Sequence, residues 1–150
     1  MSKGIIYTPR IRKSPFFEET LKYGATNFTT YNRMTMPVGY TNPEEEYQSL
    51  INDVTLWDVA AERQIEIIGE DAAKFVQYMT PRNLSTFKDG FCRYAFMTDE
   101  NGGIINDPLI LKFNEKKFWL SIADSDAILW CKGVALSGKY NVKISEPEAC

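Results

Sequence analysis

The side chain best suited to ligand chemistry is Asp107. It stands in the stretch GGIINDPLILK, between Ile104-Ile105 and Leu109-Ile110-Leu111, which read as strand. A carboxylate buried there without a partner is costly. Two accounts fit. In one, Asn106-Asp107-Pro108 is a bend and Asp107 bonds the local backbone. In the other, Asp107 is a partly buried carboxylate beside a cleft, accepting hydrogen bonds from a ligand's N–H groups. Trp57-Asp58 sets an aromatic face beside a carboxylate, which suits a cationic substrate; the alternative is a core tryptophan followed by a bend residue. Tyr94 precedes an Asn-Gly turn and is either a packing or a site residue. Asp124-Ser125-Asp126 reads as a helix cap. Arg82, in MTPRNLS, reads as a solvated loop residue, and Glu62-Arg63 as a surface ion pair worth little.

The chain has no histidine. Ser-His-Asp and Cys-His catalysis within it are therefore excluded, as are histidine-based zinc sites. The three cysteines, Cys92, Cys131 and Cys150, are odd in number and widely spaced, which fits a reducing cytoplasm. The net charge of -3 gives no sign of nucleic-acid binding. The basic group Lys3, Arg10, Arg12 and Lys13 reads as a solvated arm. Ile5-Ile6 is too short for a signal-peptide core, and no stretch approaches the roughly 20 apolar residues of a membrane span.

The elements that must position these groups follow from spacing. Residues 1–42 are punctuated by Pro and Gly and show little periodicity, so an irregular arm is expected. Asn42-Pro43-Glu44-Glu45-Glu46 is a helix start, with a cap, a first-turn proline and acids at the positive end of the dipole. Tyr47, Leu50, Ile51 and Val54 share one face of that helix. The pattern then predicts a strand region over 56–68, a helix over 70–79, strands over 91–98 and 103–113 joined by Asp99-Glu100-Asn101-Gly102, and a strand at Phe118, Leu120 and Ile122. A helix over 127–136 and a last strand at Tyr140, Val142 and Ile144 follow. This order predicts an α+β domain over 43–150: a mostly antiparallel sheet with helices on one face.

Taken together, YGATNFTTYNRMTMPVGY, PEEEYQSLINDVTLWDV and YAFMTDENGGIINDPLIL resemble the N-terminal part of the folate-dependent aminomethyltransferases, the T-proteins of glycine cleavage. Within that family, LWDVAAERQIEI, INDPLILK and FWLSIADSDAI look more like the dimethylsulfoniopropionate demethylase branch, which moves a methyl group to tetrahydrofolate. The resemblance implies that Asp107 contacts the pterin ring in a folate pocket and that Tyr94 lines it. It puts Glu62, Leu120 and Ile122 at further pocket positions, with Ser121 adjacent. The chain departs from the T-protein pattern where Ala60-Ala61-Glu62 replaces Ser-His-Met and where Ile122-Ala123 replaces Asn-Ala.

The resemblance also implies a fragment of a three-domain enzyme. Residues 1–42 would be the arm of its first domain, and 43–150 its folate-binding domain. The activity implied is methyl transfer from dimethylsulfoniopropionate to tetrahydrofolate. A glycine-cleavage aminomethyltransferase and a non-catalytic folate-binding fragment stay open. The expected cofactor is tetrahydrofolate, with no metal. The expected partners are a small sulfonium substrate, faced by Trp57 and Ser121, and the remaining domains of the enzyme. A homodimer stays open, with no nucleic acid or membrane involved and a cytoplasmic location.

Overall fold

The computed structural model describes residues 10–123 and 125–147. Lys3, Ile5, Ile6, Asp124 and Cys150 lie outside the described residues. The chain divides into two compact units, 1–61 and 62–150. Among the described residues no helix is long and apolar enough to cross a membrane.

The first unit holds β1 (Arg12–Lys13), α1 (Phe17–Lys22), β2 (Asn27–Tyr31), β3 (Met34–Gly39) and α2 (Pro43–Asn52). The arm expected to be irregular is therefore a small three-stranded sheet, ordered β1-β3-β2, with a helix. Its hairpin turns through Asn32 and Arg33, both at positive φ (47° and 61°), the geometry of a two-residue loop matched to strand twist. Pro37 hid the strand from sequence patterning. It pairs with Phe28 next to a shift in register, one of the few places a strand accepts proline. Phe17 is buried against Phe28, ring centroids 5.2 Å apart.

Helix α2 begins as its sequence predicts: Asn42 Oδ1 accepts the Glu45 N–H at 3.0 Å, with Pro43 in the first turn. It belongs to the first unit, not to the second. Its apolar stripe of Tyr47, Leu50 and Ile51 is exposed, and no residue of the helix is buried. Periodicity identifies such a stripe without saying what covers it.

The second unit follows the expected α+β plan: β4 (Arg63–Ile68), α3 (Ala72–Tyr78), β5 (Cys92–Tyr94), β6 (Met97–Thr98), β7 (Ile104–Asn106), β8 (Leu109–Asn114), β9 (Lys117–Ile122), α4 (Ala127–Ala135) and β10 (Lys143–Ser145). Five strands form one sheet in the order β10-β4-β9-β8-β5, and β6 pairs with β7. Each of these pairings is antiparallel. Residues 53–62 are not strand, so the region expected over 56–68 shortens to β4. The strands expected over 91–98 and 103–113 each break in two, the second at Asp107-Pro108.

Side chains alternate across the sheet. Ile65, Ile67, Ile110, Phe118, Leu120 and Ile122 point to one side and form a core with Ala72, Phe75, Val76, Met79, Ala127, Ile128 and Cys131 of the two helices. Each fully buried large side chain there contributes roughly 1.5–3 kcal/mol. Cys131 packs in this core, and burial pushes its thiol up to about 12. Gly69 closes β4 where the chain touches the α4–β10 turn, since a Cβ at that position would lie 2.1 Å from the Asn141 carbonyl oxygen. The opposite side of the sheet carries Gln64, Glu66, Tyr94, Leu109, Leu111, Phe113, Trp119 and Ser121, and among the described residues no helix of this unit packs on it.

Candidate functional site

The uncovered face changes character along its length. At one end Phe113 and Trp119 meet edge to face at 5.1 Å, and Glu66 accepts from Trp119 Nε1 and pairs with Lys117, both at 2.9 Å. The other end is polar. There β4 begins, β9 ends, β8 begins and β5 ends, as the register of Arg63 with Ile122, Leu109 with Ser121 and Tyr94 with Leu109 requires. Glu62, Gln64, Tyr94, Asp107 and Ser121 gather at that end.

The alternation explains Asp107. Asn106, Pro108 and Ile110 are buried, while Asp107 and Leu109 take the outward phase between them. The carboxylate therefore interrupts an apolar run without entering the core. Tyr94 donates its hydroxyl to Asp107 Oδ2 at 2.5 Å across the β5–β8 pairing. That bond, followed by partial desolvation and the carboxylate's charge, raises the Tyr94 phenol above its ordinary range. With Oδ2 accepting from Tyr94, Oδ1 keeps lone pairs to accept from a ligand. Glu62 lies just before β4, and its carboxyl is raised, first by burial and then by the charge of Asp107. The site is thus rich in acceptors and suits a ligand bearing N–H donors or positive charge.

Ser121 Oγ accepts from Gln64 Nε2 at 2.9 Å, which leaves the hydroxyl proton for donation. Leu120 and Ile122, expected to line the pocket, are each 1 % exposed and sit on the helix side of the sheet. Their neighbour Ser121 takes the outward phase, and a one-residue step in a strand reverses the face. Trp57 belongs to the first unit; it is 69 % exposed there, not core, and donates to Thr55 Oγ1 at 2.9 Å. Asp58 lies in irregular backbone, where it accepts from the Ala60 N–H at 2.9 Å and from Ser14. Arg63 does not pair with Glu62. It faces the helix side and grips Glu146 through Nε and Nη2 at 2.8 and 2.9 Å, with Asp126 at 3.5 Å. The N-cap residue of α4 is Asp126, whose side chain makes no cap bond; the preceding Ser125 instead accepts from the Ala127 N–H through its Oγ at 3.2 Å.

Three contributors escaped sequence patterning. Arg82 is an exposed loop residue, as expected, but its Nη1 also donates to the Tyr94 carbonyl at 2.7 Å. Gln64 Oε1 is buried and lacks a hydrogen-bond partner among the described residues, an acceptor that wants a donor. Asn106 is buried, with its amide bonded to Ala123 and Ser125. The only earlier signal for these was the odd Asn-Asp-Pro interruption itself.

The profile described as the GCVT N-terminal domain matches residues 16–146. This chain belongs to that family. A family relative, dimethylsulfoniopropionate demethylase DmdA of Ruegeria pomeroyi, is 34% identical over 145 residues, which cover 97% of this chain and 40% of the relative. An aminomethyltransferase of Corynebacterium aurimucosum is 38% identical over 105 residues, covering 70% of this chain and 28% of its own length. The glycine cleavage system aminomethyltransferase T of Bartonella henselae shares the fold, with a TM-score of 0.75 at 23% identity, over 92% of this chain and 38% of that one. This GCVT-family chain thus spans about two fifths of the length of these proteins or less.

Proposed function

We propose that the polar end of the uncovered sheet face holds the pterin of tetrahydrofolate, and that the chain is the folate-binding part of a methyltransferase acting on dimethylsulfoniopropionate. One observation carries this reading: the outward Asp107 carboxylate, braced by Tyr94 at 2.5 Å and keeping an oxygen for a ligand's N–H groups. A reduced pterin presents such donors. The match to the demethylase, 34% identical over 97% of this chain, supports the sulfonium donor.

Tetrahydrofolate, when bound, supplies a nucleophilic nitrogen, and a sulfonium donor carries a methyl group with a neutral thioether as leaving group. The chain's work is positioning. Asp107 orients the pterin through charge-assisted hydrogen bonds. Its negative charge, with that of Glu62, also favours a cation nearby, more so where water is excluded. Good orientation of two reactants is worth about 7–11 kcal/mol at best. Ser121 is proposed to face the sulfonium substrate. The exposed stripe of α2 and the Phe113–Trp119 end of the sheet suit burial against further domains of a longer enzyme.

The test titrates tetrahydrofolate into the chain and into Asp107→Asn by calorimetry. Loss of a charged hydrogen-bond acceptor is expected to weaken binding roughly 10- to 100-fold. In an enzyme carrying this chain, the same change is expected to lower methyl transfer from dimethylsulfoniopropionate by roughly 10²-fold. Equal binding by the two proteins returns Asp107 to a turn residue. Release of ammonia from an aminomethyl carrier, without demethylation, replaces the sulfonium donor by the glycine-cleavage one.

A further inference from the structure

We infer that Asn106 is a positioning residue that fixes the Asp107 carboxylate at the mouth of the site by stitching the end of β7 to the β9–α4 turn. Asn106 is only 5% exposed. Its Oδ1 accepts from the Ala123 N–H at 3.2 Å, while Nδ2 donates to the Ala123 carbonyl at 3.2 Å and to Ser125 Oγ at 2.8 Å. The side-chain amide thus pairs with both polar groups of one backbone residue, as a neighbouring strand would. No strand performs that task here, because β7 ends at Asn106 and β9 ends at Ile122.

Pro108 holds the other flank. Its side chain is fully buried, and its carbonyl accepts from the Ala95 N–H at 3.0 Å. A proline also confines the residue before it to extended backbone. Asp107 is therefore gripped on both sides by residues that point inward, and its own side chain has one direction left. Asn-Asp-Pro then reads as one device: an inward amide anchor, an outward carboxylate and an inward ring. Arg82 completes the frame by holding the Tyr94 backbone at 2.7 Å, so that donor and acceptor of the Tyr94–Asp107 bond are each fixed separately.

The functional part of this inference rests on Asp107 being the pterin-binding carboxylate, and its test separates the two. Asn106→Ala is made alone and together with Asp107→Asn, and tetrahydrofolate affinity is measured for all four proteins. A residue acting through Asp107 weakens binding about fivefold to tenfold when Asp107 is present and hardly at all when it is absent. Equal losses in both backgrounds overturn the inference, since a general loosening of the fold would act in both. The second readout needs no ligand. ¹³C-tyrosine NMR, with Tyr94→Phe for assignment, follows the Tyr94 phenol, which is expected to titrate at an ordinary value in Asn106→Ala. An unchanged raised titration overturns the inference. If Asn106→Ala does not fold, Ser125→Ala removes one of the amide's partners and is expected to shift both readouts in the same direction, by about twofold in affinity; no shift overturns the inference. If the unaltered chain does not bind tetrahydrofolate, the proposed function falls, and the Tyr94 titration alone judges Asn106.

Discussion

Tyr94 and Asp107 are joined by a 2.5 Å hydrogen bond between residues that neighbour each other only because β5 lies against β8. The bond couples a donor on one strand to an acceptor on a bend. It fixes which carboxylate oxygen is left for a ligand.

Removing the donor loosens the acceptor. Tyr94→Phe is expected to keep the fold, since the ring stays in edge contact with Phe96 at 5.7 Å. Its tetrahydrofolate affinity is expected to fall about fivefold, the size of one modest hydrogen bond. Calorimetry beside a thermal melt checks both. In the unaltered protein the raised phenol carries a sign: the folded state keeps its proton where the unfolded state loses it. The stability from this bond is thus complete below about pH 10 and is lost as pH rises toward the raised value.

Glu62 carries a cost that grows with pH. Its carboxyl is raised in the folded protein, so the folded state binds more protons than the unfolded state above the ordinary glutamate range. The cost is absent in acid, appears as pH rises through that range, and is constant once the folded carboxyl has ionised. Glu62→Gln is expected to leave stability unchanged at low pH and to raise it slightly at neutral pH, by at most ~0.5 kcal/mol for an exposed position. Urea melts at the two pH values measure the difference. A variant less stable at neutral pH would show Glu62 to be held by an attractive partner.

Gly69 tests the core arrangement. The Cβ of Gly69→Ala would lie 2.1 Å from the backbone oxygen of Asn141, so the β4–α3 corner and the α4–β10 turn must separate. Asp71 ties the same two segments through its Oδ2, which accepts from the Asn141 N–H at 3.0 Å. A loss of about 1–3 kcal/mol is expected, as for other overpacked sites, read as a lower urea midpoint. Gly90→Ala, where a Cβ would meet nothing within 4 Å, is the control for strain at positive φ alone.

Much of the second unit was legible from periodicity. Its two helices, its hairpin at Asp99-Glu100-Asn101-Gly102 and its α+β order follow from spacings of 3.6 and 2 and from turn chemistry, all local properties. The first unit's sheet was not legible, although its helix α2 was. Its strands carry Thr, Asn and Pro37, and their pairing depends on a turn through Asn32 and Arg33 that no Asn-Gly signal marks.

The sequence by itself determined which residues have the chemistry: no histidine, one carboxylate set in an apolar run, and a tyrosine thirteen positions before it. Only the tertiary structure decided which of them meet. It turned Ser121 outward and its neighbours Leu120 and Ile122 inward, passed Arg63 from Glu62 to Glu146, and gave Asn106 and Arg82 their places behind Asp107 and Tyr94. The physical reason is the two-residue period of a strand: types and spacing are written along the chain, but the register between strands, settled by burying one face on two helices, chooses the neighbours and the side.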